Sequence, residues 1–395
     1  MKKNAINIIF SSTGPVYSFD IAWAFQQRNM LKKFYTSKFY LPKNKFIYSV
    51  PNFNLLTKAA NLLPLSNFIK NKILTWANYK FDSYVARRLR DDDYDIFYGL
   101  QGAALNSLRK AKKQGKMVFV EQHDCYYKKI ISLVKKEVEI NPDFASTFGS
   151  YWPVYQPYLD LFECETQEAD CIVTFSTYSY NSFVEGGIPP EKILKVPLGV
   201  DIKKFETIRH SGDDRIFRIV FIGAIGQRKG IKYLLEAVKS LNRRDIKVLM
   251  LGKIIGSKYP YRKYQDFIEY PGFVGQEAFK GYMAKADIFC LPSINDSFGK
   301  VILEAMASGM PVVVSENTAG RDVVRDGVDG FVVPIRDVEK LKEKILFFYE
   351  NREKVSQMGA NARERAKAFT LDLYKDRLTE GVLERYEKTH FAGRA

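Results

Sequence analysis

The sequence predicts an α/β protein of two doubly wound domains of similar size that face each other across a cleft. Three observations predict it. The chain has 395 residues, more than one ordinary core requires. Short apolar runs alternate with helical patterns almost throughout, which is how parallel strands and crossover helices read. Gly199 and the polar run Arg209–Arg215 interrupt that alternation near the middle. We therefore expect an N-terminal domain at 1–200, a C-terminal domain at 201–370, and a terminal helix at 371–395 that packs back on the first domain. In open parallel sheets a ligand sits beyond the carboxyl ends of the strands.

In the first half, the candidate strands are Ile6–Ser11, Ile96–Tyr98, Met117–Glu121 and Cys171–Phe175, with Val196–Val200 closing the domain. Residues 40–80 fit the alternation badly and read as helical or irregular insertions. In the second half, the candidate strands are Phe217–Ile222, Lys247–Leu251, Ile268–Phe273, Ile288–Leu291, Val312–Val314 and Gly330–Val333. Ile231, Leu234, Leu235, Val238 and Leu241 recur at helical spacing between the first two. Beyond Asp337 the chain reads as helices rich in Lys and Glu.

The composition, 46% hydrophobic and 27% charged, is that of an ordered globular chain. The net charge of +16 is unevenly placed: residues 1–80 hold twelve Lys or Arg against Asp20 alone, a local +11. Residues 30–76 interleave these cations with Phe34, Tyr35, Phe39, Tyr40, Phe46, Tyr48, Phe53, Phe68 and Trp76. Such a surface suits anionic lipid headgroups; the alternatives are a solvated basic face around core aromatics, and nucleic acid. We carry forward an anionic membrane surface at residues 30–80, and no nucleic acid. No stretch approaches the roughly 18 apolar residues of a spanning helix. The start, MKKNAINIIF, has too short an apolar patch for a secretion signal and reads as a buried strand. Cys125, Cys164, Cys171 and Cys290 have no metal spacing and read as reduced core residues of a cytosolic protein.

Two segments carry chemistry. In Phe221-Ile-Gly-Ala-Ile-Gly-Gln-Arg-Lys-Gly230, a strand enters a turn containing Gly223 and Gly226, then the cations Arg228 and Lys229. The glycines admit a ligand close to the backbone, and the cations neutralise a diphosphate. The alternative is an ordinary strand-to-helix turn with exposed cations; the spacing matches neither a Walker loop nor the dinucleotide fingerprint. The second segment runs from Pro292 to Gly309, with a loop holding Asp296 and a helix expected near Phe298. A helix N-terminus attracts an anion. Gly299 lets it approach. Asp296 can accept from sugar hydroxyls, or cap the helix. Glu304 can accept from a ribose diol, or pair with Lys300. Its apolar surroundings, Val301-Ile-Leu-Glu-Ala-Met, make a carboxylate unexpected unless it has a partner.

The run Asp296-x7-Glu304 followed by Ala-Met-Ala-Ser-Gly-Met-Pro-Val-Val resembles the acidic EX7E motif of family 4 glycosyltransferases, the glycosyl transferases group 1. The segment from Asn317 to Pro334, Arg228-Lys229-Gly230 and Val196-Pro-Leu-Gly-Val-Asp201 resemble the family's following strand–helix–strand, its phosphate-binding Lys-Gly and its interdomain linker. The resemblance covers residues 170–335 well. It implies the GT-B fold of two Rossmann-like domains and metal-independent transfer, with retention of configuration, from a nucleotide-sugar, by habit a UDP-sugar. No cofactor is expected. Glu304 would hold the ribose. Asp296 with the backbone of Phe298, Gly299, Lys300 and Val301 would hold the sugar and β-phosphate, and Gly223 would admit the nucleotide. Arg228 and Lys229 would steady the departing diphosphate. His123, after the strand Met117–Glu121, is the candidate for the reacting centre, with Glu121 orienting it and Gly14 lining the same cleft. Two departures stand out: Asp296 where Glu is usual, and Ala224 where many relatives carry Arg, a charge that Arg228 would supply.

His210 falls in the presumed linker and His390 in the tail. Asp91-Asp-Asp-Tyr-Asp95 contains a DxD, the metal–nucleotide signature of another transferase fold; before a strand and among charges, it reads as a solvated loop without metal. The sequence therefore predicts a bacterial, cytosolic glycosyltransferase on the inner face of the membrane. Its acceptor is expected to be a saccharide, lipid-linked, in surface polysaccharide synthesis. The alternatives are a sugar-nucleotide epimerase and a catalytically impaired scaffold.

Overall fold

The computed structural model describes residues 6–14, 17–37, 46–50, 65–152, 155–205 and 215–391. Seven strands form one parallel sheet: β1 Ile8–Ser12, β2 Leu31–Thr36, β3 Ile47–Ser49, β4 Ile96–Leu100, β5 Met117–Glu121, β6 Cys171–Thr174 and β7 Ile193–Lys195, in the order β3-β2-β1-β4-β5-β6-β7. Six more form a second: β8 Phe217–Ile222, β9 Ile246–Leu251, β10 Ile268–Gly272, β11 Ile288–Leu291, β12 Val312–Ser315 and β13 Gly330–Val333, in the order β10-β9-β8-β11-β12-β13. Strands such as β1, β4 and β5 are buried along their whole length, as both-face cover by helices demands. The chain order reverses between β1 and β4 and again between β8 and β11. Those switch points open crevices at the strands' carboxyl ends, and the two crevices face each other.

The helices are α1 Ser18–Gln27, α2 Asn67–Ala86, α3 Leu105–Lys113, α4 Tyr127–Ile140, α5 Gln156–Glu168, α6 Thr177–Glu185, α7 Ile231–Leu241, α8 Gln276–Ala284, α9 Lys300–Ala307, α10 Gly320–Val323, α11 Val338–Glu350, α12 Arg352–Ala366 and α13 Leu371–Phe391. None of them is long and apolar enough to cross a membrane.

Three expectations need correction. Residues 31–36, placed in the basic membrane-facing surface of residues 30–80, form an inner strand, and Phe34 and Tyr35 are core residues. The last strand of the first sheet is Ile193–Lys195, not Val196–Val200. The helix expected near Phe298 starts at Lys300, because Gly299 turns left-handed (φ 77°) and caps it, so Asp296 is not the cap. His210 and, in the basic segment, residues 38–45 and 51–64 lie outside the described residues.

Residues 196–200 instead cross between the domains beside a returning segment. The Val200 N–H donates to Phe369 O (2.9 Å), and the Leu371 N–H donates to Val200 O (3.1 Å). A Cβ at Gly199 would lie 2.5 Å from Thr370 O, so the two crossings can touch only at a glycine. Past this point α13 buries Tyr374, Leu378 and Val382 against Phe10 and Ile21 of the N-terminal core.

A second junction holds the domains on another side. Phe144 and Leu133 belong to the N-terminal half of the chain but sit in the C-terminal core. Behind them Glu137 of α4 is fully buried. It accepts from Asn141 Nδ2 (3.0 Å), from Gln227 Nε2 (3.0 Å) and from the Tyr233 hydroxyl (3.0 Å), and pairs with Arg336. Arg336 adopts a left-handed φ of 66°, a conformation that costs a non-glycine residue about 1–2 kcal/mol. The buried ion pair holds it there. Glu137→Ala would leave the Arg336 charge without its partner, a loss of about 3–5 kcal/mol. Calorimetry on the variant is expected to show a lowered Tm; a change under about 1 kcal/mol would mean that the junction is not held by this carboxylate.

Candidate functional site

The site forms where the two switch points meet. From the C-terminal sheet, β8 ends at Gly223, whose φ of 124° only glycine adopts readily. A Cβ there would meet nothing within 4 Å, so the turn opens onto free space. The chain then passes Gly226 and a short 3₁₀ turn, Gln227–Lys229, before Gly230 reverses it into α7. At Gly230 a Cβ would lie 1.8 Å from Pro292 O, which is how this loop and the loop after β11 come into contact.

The loop after β11 carries Asp296, and its partner is Lys229, a buried ion pair. Burial pushes the Asp296 carboxyl up, but Lys229, Arg228 and the Phe298 N–H more than offset it, so the group stays below its ordinary range and charged. Phe298 is buried. Lys300 is exposed and Val301 half-buried at the start of α9. Glu304, further along α9, is half-buried, and its side chain makes no hydrogen bond or ion pair among the described residues; the alternative pair with Lys300 is not formed. Burial raises its carboxyl above the ordinary value, with Lys300 and Lys204 pulling it back.

Arg228 takes a different course. Its guanidinium lies 4.7 Å from the centre of the Tyr151 ring, on the other domain, and donates to Asn295 O (3.1 Å). The Tyr151 hydroxyl donates to Asp124 Oδ2 (2.8 Å). Sequence reading missed Tyr151, and placed Asp124 beside His123 at the strand end facing the cleft without giving it a role.

From the N-terminal sheet, Gly14 follows β1 and its N–H donates to Ser12 Oγ (3.0 Å). His123 follows β5. Its N–H donates to Gln101 Oε1 (2.7 Å), and its carbonyl accepts from the Ser297 hydroxyl across the cleft. Its Nε2 lies 3.2 Å from Glu121 Oε1, with Glu121 fully buried and also receiving the Tyr98 hydroxyl. The ring rests between Tyr17 (5.1 Å) and Phe175 (6.0 Å). The structure thus brings His123, Arg228, Lys229, Asp296, Phe298 and Gly299 together, while Gly14 and Gly223 follow β1 and β8 and Glu304 lies within α9. Phe273, 87% exposed just beyond β10, was also not singled out in the sequence. His390 lies on α13 and stacks on Tyr386, away from the cleft. In the DxD segment, Asp93 pairs with Lys33 and Asp91 with Lys116, at the amino end of β4.

Such a cleft can take a polar diphosphate ligand. Cations and open glycine turns line one side, and carboxylates that accept from hydroxyl groups line its ends. Residues 203–365 match the family model described as glycosyl transferases group 1. The chain is 26% identical over 229 residues to the putative colanic acid biosynthesis glycosyltransferase WcaL of Salmonella typhimurium, covering 54% of this chain and 55% of that one. It is 32% identical over 185 residues to the phosphatidyl-myo-inositol mannosyltransferase of Mycobacterium leprae (44% and 49%). With the amylovoran biosynthesis glycosyltransferase AmsK of Erwinia amylovora it is 25% identical over 310 residues (74% and 70%). The chain spans about half to three-fifths of the length of the first curated relatives it matches. Anabaena HepE in complex with UDP and glucose shares the fold, with a TM-score of 0.64 at 17% identity over 96% of this chain and 100% of that one. The architecture is GT-B.

Gly230→Ala is expected to lower stability by about 1–3 kcal/mol, since both the positive φ and the Pro292 carbonyl oppose a side chain. Gly275→Ala, with nothing within 4 Å, should stay within about 0.5 kcal/mol. Equal melting temperatures for the two variants would contradict the loop contact.

Proposed function

We propose that this chain, whose residues 203–365 belong to the glycosyl transferases group 1, moves a sugar from a nucleotide-sugar to a saccharide acceptor. The observation that carries the proposal is the pairing of Lys229 with Asp296 at the C-terminal switch point, with the Glu304 side chain, which has no partner among the described residues, further along the same loop and helix. The donor is a UDP-sugar in this reading, a choice that the UDP-bound HepE supports by fold alone. The names of the polysaccharide-building relatives support an acceptor that belongs to a surface polysaccharide.

In this mechanism Glu304 accepts from the ribose hydroxyls, and Asp296 accepts from hydroxyls of the transferred sugar. Lys229 then turns from Asp296 toward the β-phosphate, and Arg228 adds charge as the anomeric C–O bond breaks. These contacts strengthen as negative charge grows on the leaving diphosphate. The acceptor oxygen bonds the anomeric carbon on the face that the diphosphate leaves. Its proton passes to the β-phosphate, so configuration is retained with neither a separate base nor a metal. His123, fixed by Glu121, contacts the transferred sugar from the opposite wall.

Saturation-transfer NMR against UDP and GDP tests the donor site. Wild type is expected to bind UDP, and Glu304→Ala to weaken binding about tenfold or more, the weight of a hydrogen bond to a charged group. No binding of either nucleotide would favour an inactive scaffold. The raised Glu304 carboxyl adds a pH dependence. Its ionised form is the one that accepts, so UDP affinity should fall with falling pH while still above the ordinary glutamate range. Glu304→Gln should flatten that limb. Arg228→Ala is expected to lower kcat about a hundredfold, and unchanged activity would remove Arg228 from the mechanism.

Membrane association belongs to the same proposal and is carried by α2. Ile69, Lys72, Trp76 and Tyr79 share one face at helical spacing and are exposed, with Lys80 over the Trp76 ring at 5.5 Å. An aromatic and cationic face of this kind suits an anionic lipid surface. Cosedimentation with phosphatidylglycerol vesicles at low salt is expected for wild type. Trp76→Ser with Tyr79→Ser should release the protein; equal sedimentation of the two would exclude α2 as the contact.

A further inference from the structure

A second cavity lies behind His123 in the N-terminal domain, between α2, α4 and α5. Tyr127, Tyr151, Tyr155 and Tyr158 give it flat walls, Asn71 lines its edge, and Asp124 is the one charged group that lines it among the described residues. Asp124 directly follows His123, and its N–H donates to the same Gln101 oxygen (3.2 Å) that orients the His123 backbone. Its carboxylate receives the Tyr151 hydroxyl, and Arg228 of the donor loop covers the other face of that contact through the Tyr151 ring. The cavity is thus coupled to both halves of the proposed reacting centre. At its outer rim Tyr155 meets Phe68 of α2 edge to face at 5.3 Å, so it continues toward the exposed aromatic face of that helix.

We propose that this cavity holds the terminal pyranose ring of the acceptor, with Asp124 accepting a ring hydroxyl and the tyrosines stacking on its C–H face. The inference rests on the transferase reading. A pyranose presents one apolar face and a rim of hydroxyls, and flat phenol rings with a carboxylate and an amide at the edge match both. A phosphate is disfavoured because the lining charge is negative. A lipid tail is disfavoured because it would set the Asp124 carboxylate against hydrocarbon, where a charge is costly. The acceptor's lipid and phosphate would then lie outward, along α2, while its sugar reaches in toward His123.

The test needs no nucleotide. Saturation-transfer NMR is run with the methyl glycosides of glucose, galactose and mannose, and separately with geranyl phosphate. Ring protons of at least one glycoside are expected to saturate with wild type. Asp124→Asn and Tyr155→Ala should each reduce that signal about tenfold, as loss of a charged hydrogen bond or a stacking wall predicts. Circular dichroism and melting of each variant separate lost binding from lost folding, and the conservative Tyr155→Phe should keep the signal. Saturation that ignores these substitutions, or saturation of geranyl phosphate alone, would overturn the proposal. If UDP failed to bind while the glycoside bound here, the donor reading would fall and the sugar site would stand.

Discussion

A carboxylate cannot stay buried and charged without partners, and Glu137 meets that demand from both domains at once. Its acceptor sites are filled by Asn141 on its own side and by Gln227, Tyr233 and Arg336 on the other. Gln227 is the residue before Arg228 and Lys229. The Gln227 N–H is also held by Thr147 Oγ1 at 3.0 Å, so the turn that presents both cations is fixed from across the interface. Gly226 and Gly256 let the Ser146–Thr147 backbone approach this closely, since a Cβ at either would lie 2.3 Å and 2.0 Å from a carbonyl oxygen. The position of the cations is therefore a property of the interdomain contact as much as of the C-terminal sheet.

The electrostatics of the cleft follow from that arrangement. Lys229 and Asp296 neutralise each other in the structure, and Arg228 is occupied by an aromatic ring and a carbonyl. Neither cation sits free in a low-dielectric space, where an unpaired charge is costly. In the proposed reaction an entering diphosphate would exchange these internal partners for its own oxygens. Glu304 stands apart, its half-buried side chain without a partner among the described residues, which fits a role met by a ligand's hydroxyl groups.

Much of the C-terminal half was legible in the sequence. Apart from β10 its strands are short, largely buried apolar runs, and its glycines sit where strands turn into helices, so periodicity and turn chemistry point the same way. The N-terminal half was harder because its signals conflict. In β2, Lys32 and Lys33 stand directly before Phe34 and Tyr35, which reads as a basic aromatic surface; only pairing with β1 and β3 shows an inner strand whose lysines lie near its start. Glu137 lies in a helix rich in Lys and Glu and looks like any solvated acid until the second domain covers it. Tyr151 and Asp124 are far apart in the chain and meet only because residues 142–151 dock on the donor loop. No local pattern records such a contact.

The paired crossings at Val200 and Thr370 have a consequence for how the chain is built. Everything from β8 to α12 leaves and re-enters the N-terminal body at neighbouring points, joined by hydrogen bonds from the Val200 N–H to Phe369 O and from the Leu371 N–H to Val200 O. The C-terminal half is topologically an insertion with adjacent ends, the arrangement most easily transplanted between hosts. The stretch that matches the family model, 203–365, falls inside those ends. A cassette of this kind can be grafted whole; under the proposed reaction it would bring its nucleotide preference while the recipient kept its own acceptor wall. The grafted segment would carry Gln227, Tyr233 and Arg336, so a compatible host is one that offers a buried acid in the place of Glu137.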